Sequence, residues 1–353
     1  MKQRTNRISF TMALAAALSC LFAAVAVAAA ITGTPGNDRL IGTPEADQIN
    51  ALAGNDRVRA LGGDDTVDAG AGRDKVGGGG GGDTLAGSFG RDRLFGGEGN
   101  DKVNGNQGRD VVRGGLGDDE VRGGGGVAGR RADRLHGNAG NDSIFGGLGA
   151  DFITGNFGDD AIQGGGGRDR VFAGQGNDTI NGGPGAVPAR KFGRFGGRFG
   201  DRLHGGKGND TINGGAGRDF MSGGFDDDTQ NGGAGNDLIF ANPGVDVTTG
   251  GDGNDVLWAL AKVDVTAPGD VVADTLDGGN GDDRFRVRDG EADRITCGEG
   301  NDRVRADQFD VIMDATPLDP TGSCERVDRR DASTESDSEE NKTQSEEEDK
   351  QEG

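Results

Sequence analysis

An aspartate returns every nine residues along this chain, from Asp38 to Asp119, from Asp133 to Asp178 and from Asp201 to Asp264. Asp274, Asp283, Asp293 and Asp302 follow at looser spacing. Each stands at the sixth place of a unit whose first, second and fourth places are glycine in the best copies, as in Gly96-Gly97-Glu98-Gly99-Asn100-Asp101. Glycine there lets the backbone turn with positive φ and lets carbonyl oxygens converge. Converging carbonyls plus a carboxylate make an oxygen-only cage. Calcium takes about six to eight such ligands in flexible geometry, whereas magnesium keeps a tight octahedron and its waters. Histidine and cysteine are absent from the unit, which disfavours zinc and copper.

The elements that must hold these oxygens are very short strands. Two residues after each aspartate comes an aliphatic or aromatic residue, from Leu40, Ile49, Val58 and Val67 to Ile295 and Val304, broken only at Gln230, Thr248 and Thr266. Side chains alternate faces on a strand, so this residue points inward and its two neighbours, mostly Arg, Lys, Thr, Asn and Ser, point outward. One inward side chain per nine residues cannot form a core alone. The units must stack as a solenoid.

The clearest copies, Gly205 to Ser222, read Gly-Gly-Lys-Gly-Asn-Asp-Thr-Ile-Asn and then Gly-Gly-Ala-Gly-Arg-Asp-Phe-Met-Ser. This pattern resembles the RTX or haemolysin-type calcium-binding repeat, and the resemblance runs over roughly residues 33 to 305. It implies an all-β fold, a right-handed parallel β-roll (a β-solenoid) with two nonapeptides per turn and several calcium ions between stacked turn loops. Carried onto matching positions, the implied metal ligands are Asp101, Asp119, Asp142, Asp151, Asp160, Asp169, Asp178, Asp210, Asp219, Asp237, Asp255 and Asp283. The turn glycines are Gly97, Gly99, Gly147, Gly149, Gly165, Gly167, Gly206, Gly208, Gly215, Gly217, Gly233 and Gly235. The first units depart from the pattern: Thr34-Pro35 and Thr43-Pro44 replace turn residues, and Ala51 and Ala60 open later units. There an N-terminal cap competes with calcium binding.

Enzymes of this family usually carry a separate catalytic domain, for which the ladder leaves no room, and no P-loop, nucleophile elbow or His-Glu-x-x-His is present. The expectation is a protein without enzymatic activity. Type I secretion in the family normally uses an uncleaved C-terminal signal. This chain instead shows an N-terminal one, so toxin activity is not carried over. Its end segment resembles those of exported actinobacterial repeat proteins of this type.

The 353 residues include 73 glycines and no tyrosine, and carry a formal charge of -22. Such a surface attracts cations and repels nucleic acid and anionic lipid. Residues 1–30 combine Lys2, Arg4 and Arg7 with an apolar run from Phe10 to Val27 and then Ala28, Ala29 and Ala30. That is a secretory signal peptide, cleaved after Ala30, leaving an extracellular protein without a membrane span. A retained anchor, or a lipoprotein signal at Cys20, is the lesser alternative. Export leaves Cys297 and Cys324 to form one disulfide. So small a core and stacked like charges predict that calcium drives folding.

Two insertions, near 127–131 and 185–200, both follow even-numbered units and so leave one edge of the roll, about 14 Å apart at normal strand spacing. The second carries Arg190, Lys191, Phe192, Arg194, Phe195, Arg198 and Phe199 without an acid. It is a candidate contact for a cell-surface polymer or protein, or a mobile loop drawn to the acidic roll. Outward Phe220, Leu238, Phe240, Val256 and Trp258 share one face. They predict an apolar patch covered by the segment after Trp258, by a homodimer partner or by a hydrophobic ligand. His136 and His204, each in Asp-Arg-Leu-His-Gly, mark an internal duplication. The roll is expected over 31–258, irregular repeats and a disulfide-clipped cap over 259–327, and a disordered acidic tail over 328–353. The function expected is an exported calcium-binding repeat protein. The alternatives are an adhesin or matrix component using the basic loop, and a polysaccharide-acting solenoid enzyme, for which outward Asp68 and Glu120 are isolated.

Overall fold

The computed structural model describes residues 28–125, 132–184, 200–259, 273–313, 315 and 321–330. Among the described residues all pairing between strands is parallel, in one sheet of 15 strands and another of 18. In register, Arg57 faces Lys75 and Lys75 faces Arg93 on the 15-stranded sheet, while Thr66 faces Thr84 on the other. Partners are therefore two units apart in sequence, and one turn of the roll is two nonapeptides. The strand Thr66–Asp68 is exposed, buried and exposed in turn, as alternation requires. The glycine pairs lie inside the paired segments, as in Arg93–Glu98, where Gly97 faces Gly79 and Gly115 on the neighbouring turns.

The inward residues form one apolar column from Ile49 to Ile239 and a second from Leu257 to Cys324. The division falls where the sequence interrupts its aliphatic positions. Buried Gln230 donates from Nε2 to the carbonyl of Phe240 at 3.1 Å, and Thr248 Oγ1 donates to Gln230 Oε1 at 3.3 Å. The two polar side chains satisfy each other inside the stack, so they cost little there. Thr266 lies outside the described residues.

Pairing continues across both insertions, Val111 facing Arg134 and Arg170 facing Arg202. Each insertion follows a strand of the 18-stranded sheet, Glu120–Gly125 or Thr179–Asn181, and precedes one of the other sheet. Both leave the same edge, as register demanded. A third break, 260–272, corrects the sequence reading. Val247 faces Thr275 directly, and the Asp246 N–H donates to Asp274 Oδ1, so the ladder skips Asp264. Its ninefold spacing is a coincidence within an inserted segment.

The roll also runs further than the aspartate spacing suggested. Val311–Ile312 pairs with Arg294–Thr296, and Arg326–Arg329 with Arg303–Ala306. Cys297 and Cys324 form a disulfide with their Cα atoms 5.3 Å apart. The expected signal-peptide core, the basic loop (Arg190, Lys191, Phe192, Arg194, Phe195, Arg198, Phe199) and the acidic tail beyond Arg330 lie outside the described residues. Among the described residues no helix is long and apolar enough to cross a membrane.

Candidate metal centre

Each edge of the roll carries a column of stacked aspartates. The backbone N–H of one aspartate donates to Oδ1 of its counterpart a turn later: Asp83 to Asp101 at 2.7 Å, Asp101 to Asp119 at 2.8 Å, Asp142 to Asp160 at 2.9 Å and Asp160 to Asp178 at 2.8 Å. One carboxylate oxygen is thus consumed in joining the turns. The other, Oδ2, is buried without a hydrogen-bond partner in all twelve aspartates from Asp101 to Asp283 named above. An unpartnered buried carboxylate oxygen is costly, and a cation is the natural remedy.

The glycines explain where that oxygen points. A methyl group on Gly96 would collide with Asp101 Oδ2 and sit 2.6 Å from the Gly114 carbonyl oxygen. Carboxylate and carbonyl oxygens therefore converge on the space that a side chain at the unit's first place would fill. Gly97 has φ of +138°, and a Cβ there would overlap the Gly79 carbonyl a turn below. Of the twelve turn glycines assigned from the sequence, all except Gly149 adopt positive φ. The first-place glycines Gly96, Gly114, Gly155 and Gly205 were missed in that assignment, although their recurrence was visible.

Stacking carboxylates in this way resists ionisation. Burial, followed by the neighbouring Asp101 and Asp65 carboxylates, pushes Asp83 up to about 7. Burial likewise raises Asp169 to about 7 and Asp201 to about 8, and burial together with Asp274 raises Asp246 to about 9. The N-terminal units behave differently. Thr34 donates from its N–H to Asp38 Oδ2 at 2.6 Å, and Thr43 donates from its N–H to Asp47 Oδ2 and from Oγ1 to Asp47 Oδ1. At Asp47 burial opposes ionisation, but in the uncleaved chain hydrogen bonds from Ala29, which belongs to the expected leader, and from Thr43 outweigh it and the pKa falls below its usual value. Threonine at the second place thus does locally what a cation would do elsewhere.

A second ladder runs beside the first and was not anticipated. The residue before each aspartate bonds in the opposite direction along the axis: the Asp118 N–H donates to Asn100 Oδ1 at 3.0 Å, and the Asn141 N–H to Asp118 Oδ1 at 2.8 Å. The recurring Asn-Asp and Asp-Asp dipeptides were its signal. Two more side chains were missed as rungs. Asp310 Oδ1 accepts the Asp293 N–H at 3.2 Å, and Glu325 Oε2 accepts the Asp302 N–H at 2.6 Å. Near this end Asp274, Glu291 and Asp293 bring carboxylate oxygens within 4.8 Å of one another, with Glu291 at a place that glycine holds in the regular units.

The remaining sequence candidates fall elsewhere. Phe220, Leu238, Phe240 and Trp258 do form one cluster with Val256 against it, but the first four are buried within the single chain. The open oligomer contact considered for these five residues is therefore not what this face presents. His136 and His204 join a column of rings on the 15-stranded sheet. His204 stacks on Phe172 at 4.9 Å, and burial lowers its pKa to about 4. His136 Nδ1 lies 2.8 Å from Thr154 Oγ1. Outward Asp68 and Glu120 sit in different columns of the 18-stranded sheet. The column of Glu120 reaches the strand of Asp68 through Lys102 and Thr84, three strand steps or about 14 Å away, wider than either glycosidase geometry.

The sequence profile of the RTX calcium-binding nonapeptide repeat (4 copies) matches the chain at residues 32–67, 41–76, 77–112, 96–127, 127–162, 154–186, 195–230, 231–257 and 273–291. Among solved structures, the chain is similar to the X-ray crystal structure of a hyperactive, Ca2+-dependent, β-helical antifreeze protein from an Antarctic bacterium. The identity is 18% and the TM-score 0.28, covering 84% of this chain and 92% of that one. No curated protein matches the chain.

Proposed function

The chain belongs to the RTX calcium-binding nonapeptide repeat family, and from that premise we propose that it is an exported roll whose folding is completed by calcium at its turn loops. The observation that carries this reading is the repeated Oδ2 atom, buried and without a partner, beside converging glycine carbonyls. The residues that would hold calcium are the twelve aspartates from Asp101 to Asp283 with the carbonyls of the glycine turns. Calcium supplies the positive charge that lets stacked carboxylates ionise together.

The chain's own part is positional. Oδ1 binds the N–H of the turn below and fixes the carboxylate plane, leaving Oδ2 aimed into the turn. Glycine keeps the space open. The hydrophobic column holds the turns in register but is one side chain deep, so a metal-free chain lacks both charge balance and a sizeable core. Export rests on the leader at residues 1–30, and with it an extracellular location, where calcium is abundant.

Equilibrium dialysis of the chelator-stripped full chain tests the reading. Several calcium ions per chain are expected, with magnesium failing to displace them. Retention of fewer than one ion per chain would sink it. Export is checked separately by fractionating cells that express the full chain, where retention of the protein with residues 1–30 in the cytoplasm would contradict it.

A further inference from the structure

The two faces of the roll are chemically unlike. On the 18-stranded sheet the outward places are chiefly neutral and polar, as in Thr179-Ile180-Asn181, Thr211-Ile212-Asn213 and Thr229-Gln230-Asn231. On the 15-stranded sheet the places one and three residues after each aspartate hold no carboxylate on any described strand from Arg39–Ile41 to Arg303–Ala306. At its N-terminal end this face gathers Arg39, Arg57, Arg59, Lys75, Arg93 and Arg113, all exposed. Arg39, Arg57, Lys75 and Arg93 stand in a single file, each facing the next across one strand step of about 4.8 Å.

None of these six cations forms an ion pair among the described residues. Five of them, all but Arg113, line a shallow groove of about 700 Å³ with Phe95, and no carboxylate contributes to its lining. On a chain of net charge -22 a cation file kept clear of acids is not a solvated average surface. Like charges one strand step apart repel, and the sheet holds them there. A ligand carrying regularly spaced negative charges relieves that repulsion at every rung.

We infer that the groove over Arg39, Arg57, Lys75 and Arg93 is a docking surface for a linear acidic polysaccharide running along the roll axis. Charge complementarity along a straight file favours an extended polymer over a compact anion, because each strand step adds an equivalent contact. The ring in this groove argues against nucleic acid. Phe95 is half-buried and already faces Lys75 Nζ at 5.7 Å and Arg113 Cζ at 5.4 Å from its centroid, so it offers no open platform for stacking a base. Recognition here is by charge alone.

The test uses the full chain loaded with calcium, on immobilised dextran sulfate and hyaluronate, with single-stranded and duplex DNA as comparison. The combined variant Arg57→Gln, Lys75→Gln, Arg93→Gln is paired with a control of equal charge on the other sheet, Lys102→Gln, Arg122→Gln, Arg294→Gln. Circular dichroism checks that each variant is folded. Glutamine already occupies outward places, as at Gln48 and Gln163, so folding should survive. Wild type and control should bind both polysaccharides in low salt, the groove variant about tenfold more weakly or worse, and added salt should release all of them. Equal binding by groove variant and control overturns the proposal, and so does tighter binding to either DNA. Binding to dextran sulfate that appears only after deletion of residues 331–353 also overturns it, since the chain's own acidic tail would then be the occupant.

Discussion

The backbone N–H of Asp101 donates to Oδ1 of Asp119, one turn away, at 2.8 Å, and Oδ2 of the same Asp119 side chain is buried with no hydrogen-bond partner. The carboxylate is therefore divided between two tasks. One oxygen ties the turns together and the other is left for a cation. Beside it, Asp118 bonds back to Asn100 in the opposite direction, so consecutive residues join the same two turns twice, once with each turn as donor.

This division separates aspartates that need a cation from those that do not. Asp160→Asn keeps an acceptor for the Asp142 N–H but can put an NH2 group where Oδ2 now points. The variant should bind fewer calcium ions and fold at a higher calcium concentration. Asp47→Asn should change calcium binding little, because Thr43 already satisfies that carboxylate. Counting bound ions by dialysis distinguishes the two, and equal losses would contradict the division of labour.

Glycine positions offer a second contrast. Gly97→Ala combines φ of +138° with overlap on the Gly79 carbonyl and should destabilise the calcium-loaded roll by roughly 2 kcal/mol or more. Gly77→Ala places its methyl where nothing lies within 4 Å and should be nearly neutral. Denaturant melts in saturating calcium read both. Similar midpoints for the two variants would show that the turns tolerate side chains.

The buried carboxylates give the metal-free chain a defined pH response. Burial is the largest cause raising Asp92 and Asp133 to about 7, Asp201 to about 8 and Asp246 to about 9, from the usual 3.8. A raised folded-state pKa means the folded chain holds protons more tightly than the unfolded one. Its stabilisation is full below the unfolded value and is lost as pH climbs through the folded values. In chelator, strand content should be greater near about pH 5 than near about pH 8, and saturating calcium should abolish the difference. More strand at the higher pH in chelator would reverse the sign and contradict the stacked-carboxylate argument.

Much of this was legible in the sequence, because a ninefold aspartate with an apolar residue two places later fixes both the edge column and the inward column. The parallel pairing follows from that periodicity, as do the polar interruption at Gln230 and Thr248 and the shared edge of two insertions. Spacing misled at Asp264, where the count was right but the described ladder passes from Asp246 directly to Asp274. It also fell short at Glu325, whose longer side chain replaces an aspartate. The asparagine ladder escaped notice since Asn100 and Asn141 read equally well as solvated turn residues. Burial of Phe220, Phe240 and Trp258 agrees with the expectation of a covered patch, while the segment after residue 259 expected to cover it lies outside the described residues.

The disulfide should act locally. Cys297 and Cys324 are 27 residues apart in sequence, and closing such a loop is worth about 3 kcal/mol in the chain-entropy model. In a solenoid each turn contacts only its neighbours. Replacing both cysteines by serine should speed amide exchange around Leu276, Ile295 and Ile312 and leave the strands near Val58 to Val112 unchanged. Uniform acceleration along the chain would show that the roll unfolds as a single unit instead.

The measurement that bears most directly on the central claim is a far-ultraviolet circular dichroism titration of the chelator-stripped full chain with calcium, repeated with magnesium. A cooperative gain of strand with calcium and none with magnesium is the result expected if the buried Oδ2 atoms need that cation to fold. Strand content in chelator equal to that in saturating calcium would contradict it. The turns would then be held by their two hydrogen-bond ladders alone.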